Sequence, residues 1–169
     1  MNSCSSFFRR ALLAAALLLP GFYMQNGALA RAEPQHSAIT TVADFDATTW
    51  TQLLQSGPRP AAYVFTNSFC ATCPEAFDTL HHTVKAAGKP VPLAAILMDV
   101  QGERALAHAH HYSGVTKIYA FDGFEPAIRQ AVDPAWRNIT PYVVLVDRKG
   151  RLQRVTGQPD PKTLKRWLR

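Results

Sequence analysis

Two cysteines three positions apart, Cys70 and Cys73 in the stretch "FTNSFCATCPEAF", are the residues of this chain best suited to do chemistry. They stand where an apolar run, Ala61 to Thr66, gives way to a helix-like pattern. At a strand-to-helix junction the first cysteine meets unpaired backbone N–H groups and the positive end of the helix dipole, which favour its thiolate. Thiolate is the form that attacks a disulfide, and a cysteine one turn further on is close enough to displace the mixed disulfide that results. Cys70 is the candidate nucleophile and Cys73 the candidate resolving thiol.

Other chemistry is open to the same pair. A structural zinc site needs four ligands, usually two such pairs, and the sequence has no second one. A passive staple over so short a loop would constrain the unfolded chain little. Copper(I) suits two thiolates and a histidine, because soft sulfur suits the soft ion. His108, His110 and His111 are the nearest group of histidines to complete such a set, with His81 and His82 earlier in the chain. His108 and His111 lie one helical turn apart and could share a metal, whereas adjacent His81 and His82 diverge by about 100° on a helix. Exposed histidines on helices are the plainer reading of all five.

The compartment narrows these choices. Met1 to Arg10 is short and positive, Ala11 to Leu19 is unbroken Ala/Leu, and Ala28-Leu29-Ala30 has the small-x-small form of a cleavage site. Residues 1–30 therefore read as a secretory signal of bacterial type, and 31–41 as a flexible leader. The apolar stretch falls well short of the ~20 residues that cross a bilayer, with an uncleaved N-terminal membrane anchor as the alternative. Cleavage discards Cys4, which has no lipobox context, and leaves Cys70 and Cys73 as the only cysteines. In an exported protein these pair with each other, with a partner's thiol or with a metal. The cleaved segment holds two of the 18 Lys+Arg and none of the 12 Asp+Glu, so the mature charge is +4. The basic residues Lys162, Lys165, Arg166 and Arg169 cluster at the C-terminus, but no basic stripe alternates with aromatics, which argues against a nucleic-acid partner.

The elements that must position the pair are legible as pattern. A helix is expected from Asp44, with Phe45, Trp50, Leu53 and Leu54 on one face and Gly57-Pro58 at its end. Ala61 to Thr66 reads as a buried strand. Phe77, Leu80, Val84 and Ala87 recur at helical spacing up to Gly88-Lys89-Pro90, and Pro74 is tolerable because it falls near the first turn. A buried strand over 91–100, a helix over 103–112, a short strand over 117–121 and a short helix over 124–131 follow. Tyr142 to Val146 is a strong apolar run turned by Asp147-Arg-Lys-Gly150 into 151–156 as a hairpin, and Asp160-Pro161 caps a last helix through Leu168. Alternating strands and helices imply an α/β domain, a mixed sheet covered on both faces.

The order "AAYVFTNSF", "CATC", an extra strand and helix mid-chain, "NITPYVVLVDRKGRL" and "VTGQPDPKTLKRWL" resembles the thioredoxin-like proteins, specifically the exported TlpA/ResA-type thiol-disulfide oxidoreductases, over residues 42–169. The resemblance implies a thioredoxin-like fold with a central strand-helix insertion. It also implies exchange of disulfides with periplasmic partner proteins through a mixed disulfide, and re-reduction by a membrane electron donor if the protein is a reductase. No cofactor is called for, and a monomer is expected. It makes Pro141 the cis-proline that faces the cysteines, with Thr140 beside it and Phe69 and Thr72 as further partner contacts. Two departures stand out: Ser68-Phe69 where the family often has a tryptophan before the first cysteine, and Ala71-Thr72 without a proline between the pair. No buried acid lies in 61–69, so Glu75 is the nearby candidate for a proton route to Cys73, although it also suits a helix's first turn. "CATCPEAF" is also similar to the Sco copper metallochaperones of the same fold, the alternative reading. Those have three residues between the cysteines and a histidine at the place held here by Ile139.

Overall fold

The computed structural model describes residues 39–169, and the expected signal segment, Cys4 and the leader before Ile39 lie outside the described residues. The strands are β1 (Val42–Phe45), β2 (Ala61–Thr66), β3 (Leu93–Leu97), β4 (Lys117–Phe121), β5 (Tyr142–Val146) and β6 (Leu152–Thr156). The helices are α1 (Ala47–Ser56), α2 (Cys73–Ala86), α3 (Gly102–Ala107), α4 (Glu125–Val132) and α5 (Pro161–Trp167), with a 3-10 turn at Ala109–His111. One mixed sheet runs in the order β1-β4-β3-β2-β5-β6. Strand β2 is central, parallel to β3 and antiparallel to β5.

Because successive strand side chains point to opposite faces, β2 and β5 serve two cores at once. Ala62, Val64, Val143 and Leu145 face Phe77, Leu80 and Val84 of α2 and Leu164 and Trp167 of α5. Ala61, Tyr63, Phe65, Tyr142, Val144 and Val146 face Trp50 of α1 and Ile128 and Val132 of α4. The second core is aromatic: the Phe65 ring lies 5.0 Å from Trp136, 5.5 Å from Phe45 and 6.1 Å from Trp50. The indole N–H of Trp167 donates to the Val146 carbonyl at 2.9 Å, fixing α5 to the end of β5.

The expected helix from Asp44 is corrected at its start. Residues 42–45 form β1, paired in parallel register with Ile118–Phe121 of β4, and Phe45 is wholly buried among aromatic rings. Four residues carry too little alternation to declare a strand, and their pairing partner is more than 70 positions away. The helix instead begins after Asp46, whose carboxylate accepts the Thr49 N–H at 2.6 Å. The expected strand over 91–100 contracts to Leu93–Leu97, and the helix over 103–112 is α3 followed by the 3-10 turn, with Tyr112 beyond it. The remaining elements stand within a residue or two of expectation.

Phe65→Ala should lower stability by about 3–5 kcal/mol, read from urea denaturation, because it opens a cavity among rings that cannot collapse together. Phe69→Ala, four residues on but 88% exposed, should change it by less than about 0.5 kcal/mol.

Candidate redox-active site

Strand β2 ends at Thr66, and the chain turns through Asn67, Ser68 and Phe69 to reach Cys70. That turn is closed by its own polar groups: the Asn67 side-chain oxygen accepts the Phe69 N–H at 3.0 Å, and the Asn67 carbonyl accepts the Cys70 N–H at 3.2 Å. It is also tied to its neighbours. The Ser68 N–H donates to both carboxylate oxygens of Asp99, just past β3, at 2.9 and 3.0 Å. The Asn67 amide donates to the Thr140 hydroxyl at 3.4 Å.

Cys70 and Cys73 are joined in a disulfide, with Cα atoms 5.4 Å apart. Cys73 opens α2 and is wholly buried against the Phe77 side of the core, whereas Cys70 is partly exposed. The asymmetry follows from helix geometry, since Cys73 and Phe77 are four apart and share the inward face. Pro74 sits in the first turn, Glu75 is exposed there, and Thr72 occupies the N-cap without a side-chain capping bond. Backbone carbonyls take up part of the helix's first turn: the Cys73 N–H donates to the Cys70 carbonyl and the Ala76 N–H to the Thr72 carbonyl, each at 3.3 Å, and Pro74 has no N–H to offer.

The loop before β5 ends at the same edge of the sheet as the cysteine turn. The Thr140–Pro141 peptide is cis, as is Arg59–Pro60, and Pro141 is buried. By the β2–β5 register, in which Tyr142 faces Phe65, Pro141 falls opposite Thr66 at the root of the cysteine turn. Trp136 stacks on Tyr142 with centroids 4.5 Å apart, and its indole N–H donates to the Ile139 carbonyl at 3.1 Å. Asp133 accepts the Tyr142 hydroxyl and the Ala135 N–H. Burial pushes the Asp133 carboxyl up. The hydrogen bonds from Tyr142 and Ala135 and the nearby Arg154 cation outweigh that and hold it below the usual carboxylate range.

The expected site residues thus fall into two groups. Cys70 and Cys73 follow the end of β2, and Thr140 and Pro141 precede the start of β5 at that same edge, while Phe69 and Thr72 stand out into solvent. Asn67, Asp99, Asp133, Trp136 and Tyr112 were not anticipated. Only Asn67 carried a local signal, as an Asx-turn residue before the pair. Tyr112 is buried, its ring 4.5 Å from that of Phe77 and its hydroxyl 3.4 Å from Thr66 Oγ1. Burial pushes its phenol above the ordinary value.

The histidines go elsewhere. His108, His110 and His111 gather with one another, with ring centroids 5.7 Å apart for His108–His111 and 3.8 Å for His110–His111. Burial and the two neighbouring rings lower the His111 pKa. His81 packs so closely on Gly114 that a side chain there would meet its ring at 2.5 Å. His82 lines a groove of about 730 Å³ between α2 and α5. Among the described residues, no three His, Cys, Asp or Glu side chains are grouped to hold a metal ion.

No family model matches the sequence, and neither does any curated protein. Solved structures do match. A thioredoxin-related protein from Neisseria meningitidis serogroup B superposes with a TM-score of 0.50 at 20% identity, over 67% of this chain and 85% of its own. The fold is thioredoxin-like. A thio-disulfide isomerase from Thermus thermophilus is similar at 24% identity and TM-score 0.48, over 67% of this chain and 79% of its own. The thioredoxin domain of a thiol-disulfide oxidoreductase from Bacteroides vulgatus is similar at 14% identity and TM-score 0.48, over 78% of this chain and 92% of its own. In thioredoxin-like terms the cysteine pair stands at the head of α2, beside the central strand.

Asp133→Asn should loosen the loop that carries Pro141. A carboxyl whose folded pKa is lowered stabilises the fold above its unfolded value of ~3.9, and the contribution is lost as pH falls through the folded value. The variant should therefore unfold at lower urea concentration at neutral pH, and the gap should close in acid below the folded-state pKa.

Proposed function

We propose that the protein is a thiol-disulfide oxidoreductase of the exported, TlpA/ResA-like kind that reduces disulfides in partner proteins. The observation that carries this reading is the bonded pair at the head of α2, with Cys70 accessible and Cys73 buried behind it. In the reduced protein the Cys70 thiolate attacks one sulfur of a partner's disulfide. A Cys70–partner bond forms, and the partner's other sulfur leaves as thiolate and takes up a proton. Cys73, having lost its proton, then attacks Cys70 Sγ, closes the intramolecular disulfide and releases the partner's second thiol. The protein gives up two electrons and the partner's disulfide gains them.

The signal-like residues 1–30 support action in the periplasm, where the pair would need continual re-reduction by a membrane electron donor. The copper-carrier alternative needs a third ligand, and its candidate histidines lie against one another on the 3-10 turn. Direction follows from the intervening dipeptide. Ala71 and Thr72 place no charge between the cysteines, so a Cys70 thiolate has the helix terminus and little more to hold it. Modest stabilisation of the thiolate belongs to a reductant.

Cys73→Ser should trap Cys70-linked mixed disulfides with partner proteins, seen as dithiothreitol-sensitive adducts on non-reducing gels, and Cys70→Ser should trap none. Failure of both variants, with a native pair that resists dithiothreitol, would reduce the bond to a passive staple.

Equilibration with glutathione buffers, read by thiol alkylation, should place the potential nearer the ~−270 mV of thioredoxin than the ~−120 mV of the strong oxidant DsbA. A value above about −180 mV would overturn the direction and leave the exchange chemistry standing.

A further inference from the structure

The large apolar side chains that stand exposed among the described residues are Phe69 at 88%, Phe124 at 74% and Ile139 at 46%. Singly, each would be unremarkable, since folded surfaces carry scattered apolar groups. Their places in the sheet are not scattered. Strands β2, β3 and β4 run parallel, so their C-terminal ends share one edge of the fold, and antiparallel β5 starts from that edge. Phe69 lies three residues past the end of β2, Phe124 three past the end of β4, and Ile139 three before the start of β5.

Hydrogen bonds join the loops that carry them in series. Thr140 is bonded to Asn67, Ser68 to Asp99, and the Gln101 amide donates to the Phe121 carbonyl at 2.6 Å. The strands that lead to these loops are themselves about 10 Å apart from β2 to β4 and about 14 Å from β5 to β4 at ~4.8 Å per strand. An extended chain covers that in about three or four residues. The half between Phe69 and Phe124 carries the exposed carboxylates of Asp99 and Asp122, while Arg137 stands on the Ile139 side.

We infer that Phe124 extends the partner-binding face beyond the cysteine pair. The client segment lies across the strand ends from Ile139 over Phe69 to Phe124, and the preferred client carries a large apolar side chain about four residues from its reactive cysteine, with a basic residue between. This rests on the disulfide-exchange reading. An acidic segment would meet the carboxylates of Asp99 and Asp122 at close range, which selects against it. An apolar side chain at the far position would cover a ring that is otherwise left in water.

The test uses full-length reduced protein and short peptides whose single cysteine carries nitrothiobenzoate through a disulfide. Cys70 attacks the peptide sulfur and expels nitrothiobenzoate, the better leaving group, and Cys73 then releases the peptide thiol, so each peptide takes two electrons. Absorbance of the released group gives the rate. With Phe four residues from the cysteine, on one side of it, release should be about tenfold faster than with Ser there. Phe124→Ser should remove that advantage and leave the rate with the small symmetric bis(nitrothiobenzoate) disulfide unchanged. A Lys between the two positions should react faster than a Glu, with the difference closing in 1 M salt. Equal rates for the Phe and Ser peptides on both sides, or an advantage that survives Phe124→Ser, would overturn the inference while leaving the exchange activity intact. If the small disulfide fails to oxidise the reduced pair, the oxidoreductase reading itself falls and takes this one with it.

Discussion

Strand β2 has no solvent face. It is hydrogen-bonded to β3 on one side and β5 on the other, and all six of its residues are buried, Ala61 to Phe65 in one of two cores. A strand so placed is apolar up to its last residue, the buried Thr66, and leaves the interior only where it ends. Everything that could do chemistry is arranged around that exit. The turn after Thr66 brings Cys70 to the surface, and the return of the chain into α2 takes Cys73 back into the core against Phe77. One cysteine is offered to partners and the other withheld because the first lies outside the helix and the second on its inward face.

The same edge of the sheet is stiffened by polar contacts between loops that are far apart in sequence. Ser68 and Asp99 are 31 positions apart, and Asn67 and Thr140 are 73. Each contact exists because neighbouring strands end side by side, so their following loops meet. The start of β5 is held separately, by Trp136 on Tyr142 and by the carboxylate of Asp133 on the tyrosine hydroxyl. Hydrogen bonding to the ionised form keeps that carboxylate charged through the neutral range.

Histidine content by itself promised more chemistry than the fold supports. His81 and His82 follow one another on α2, but one packs against Gly114 and the other lines the groove toward α5. The 100° step between successive helical residues makes that divergence unavoidable. His108, His110 and His111 do meet, yet they meet each other across a 3-10 turn and bring no carboxylate or thiolate with them. Partial desolvation and the two neighbouring imidazoles disfavour the charged form of His111 and lower its pKa.

Local pattern was enough for most elements and for the cysteine pair. The run Ala61 to Thr66, the spacing of Phe77, Leu80 and Val84, the turn at Asp147–Gly150 and the Asp160 cap each act within a few residues, and such signals survive in one dimension. Strand β1 did not survive there, because four residues acquire strand character only from pairing with β4. The supporting residues of the site were equally hidden. Asp99, Trp136 and Tyr112 have no motif of their own, and each becomes part of the site through a neighbour supplied by the tertiary fold. In sequence Phe69 reads as a partner contact through the family resemblance alone and nothing ties Phe124 to it, and only the register of four strands brings these two and Ile139 to one edge. Sequence determines what is decided by contacts a few positions apart. Which loops become neighbours is decided by strand order, an outcome of burying both faces of β2 at once.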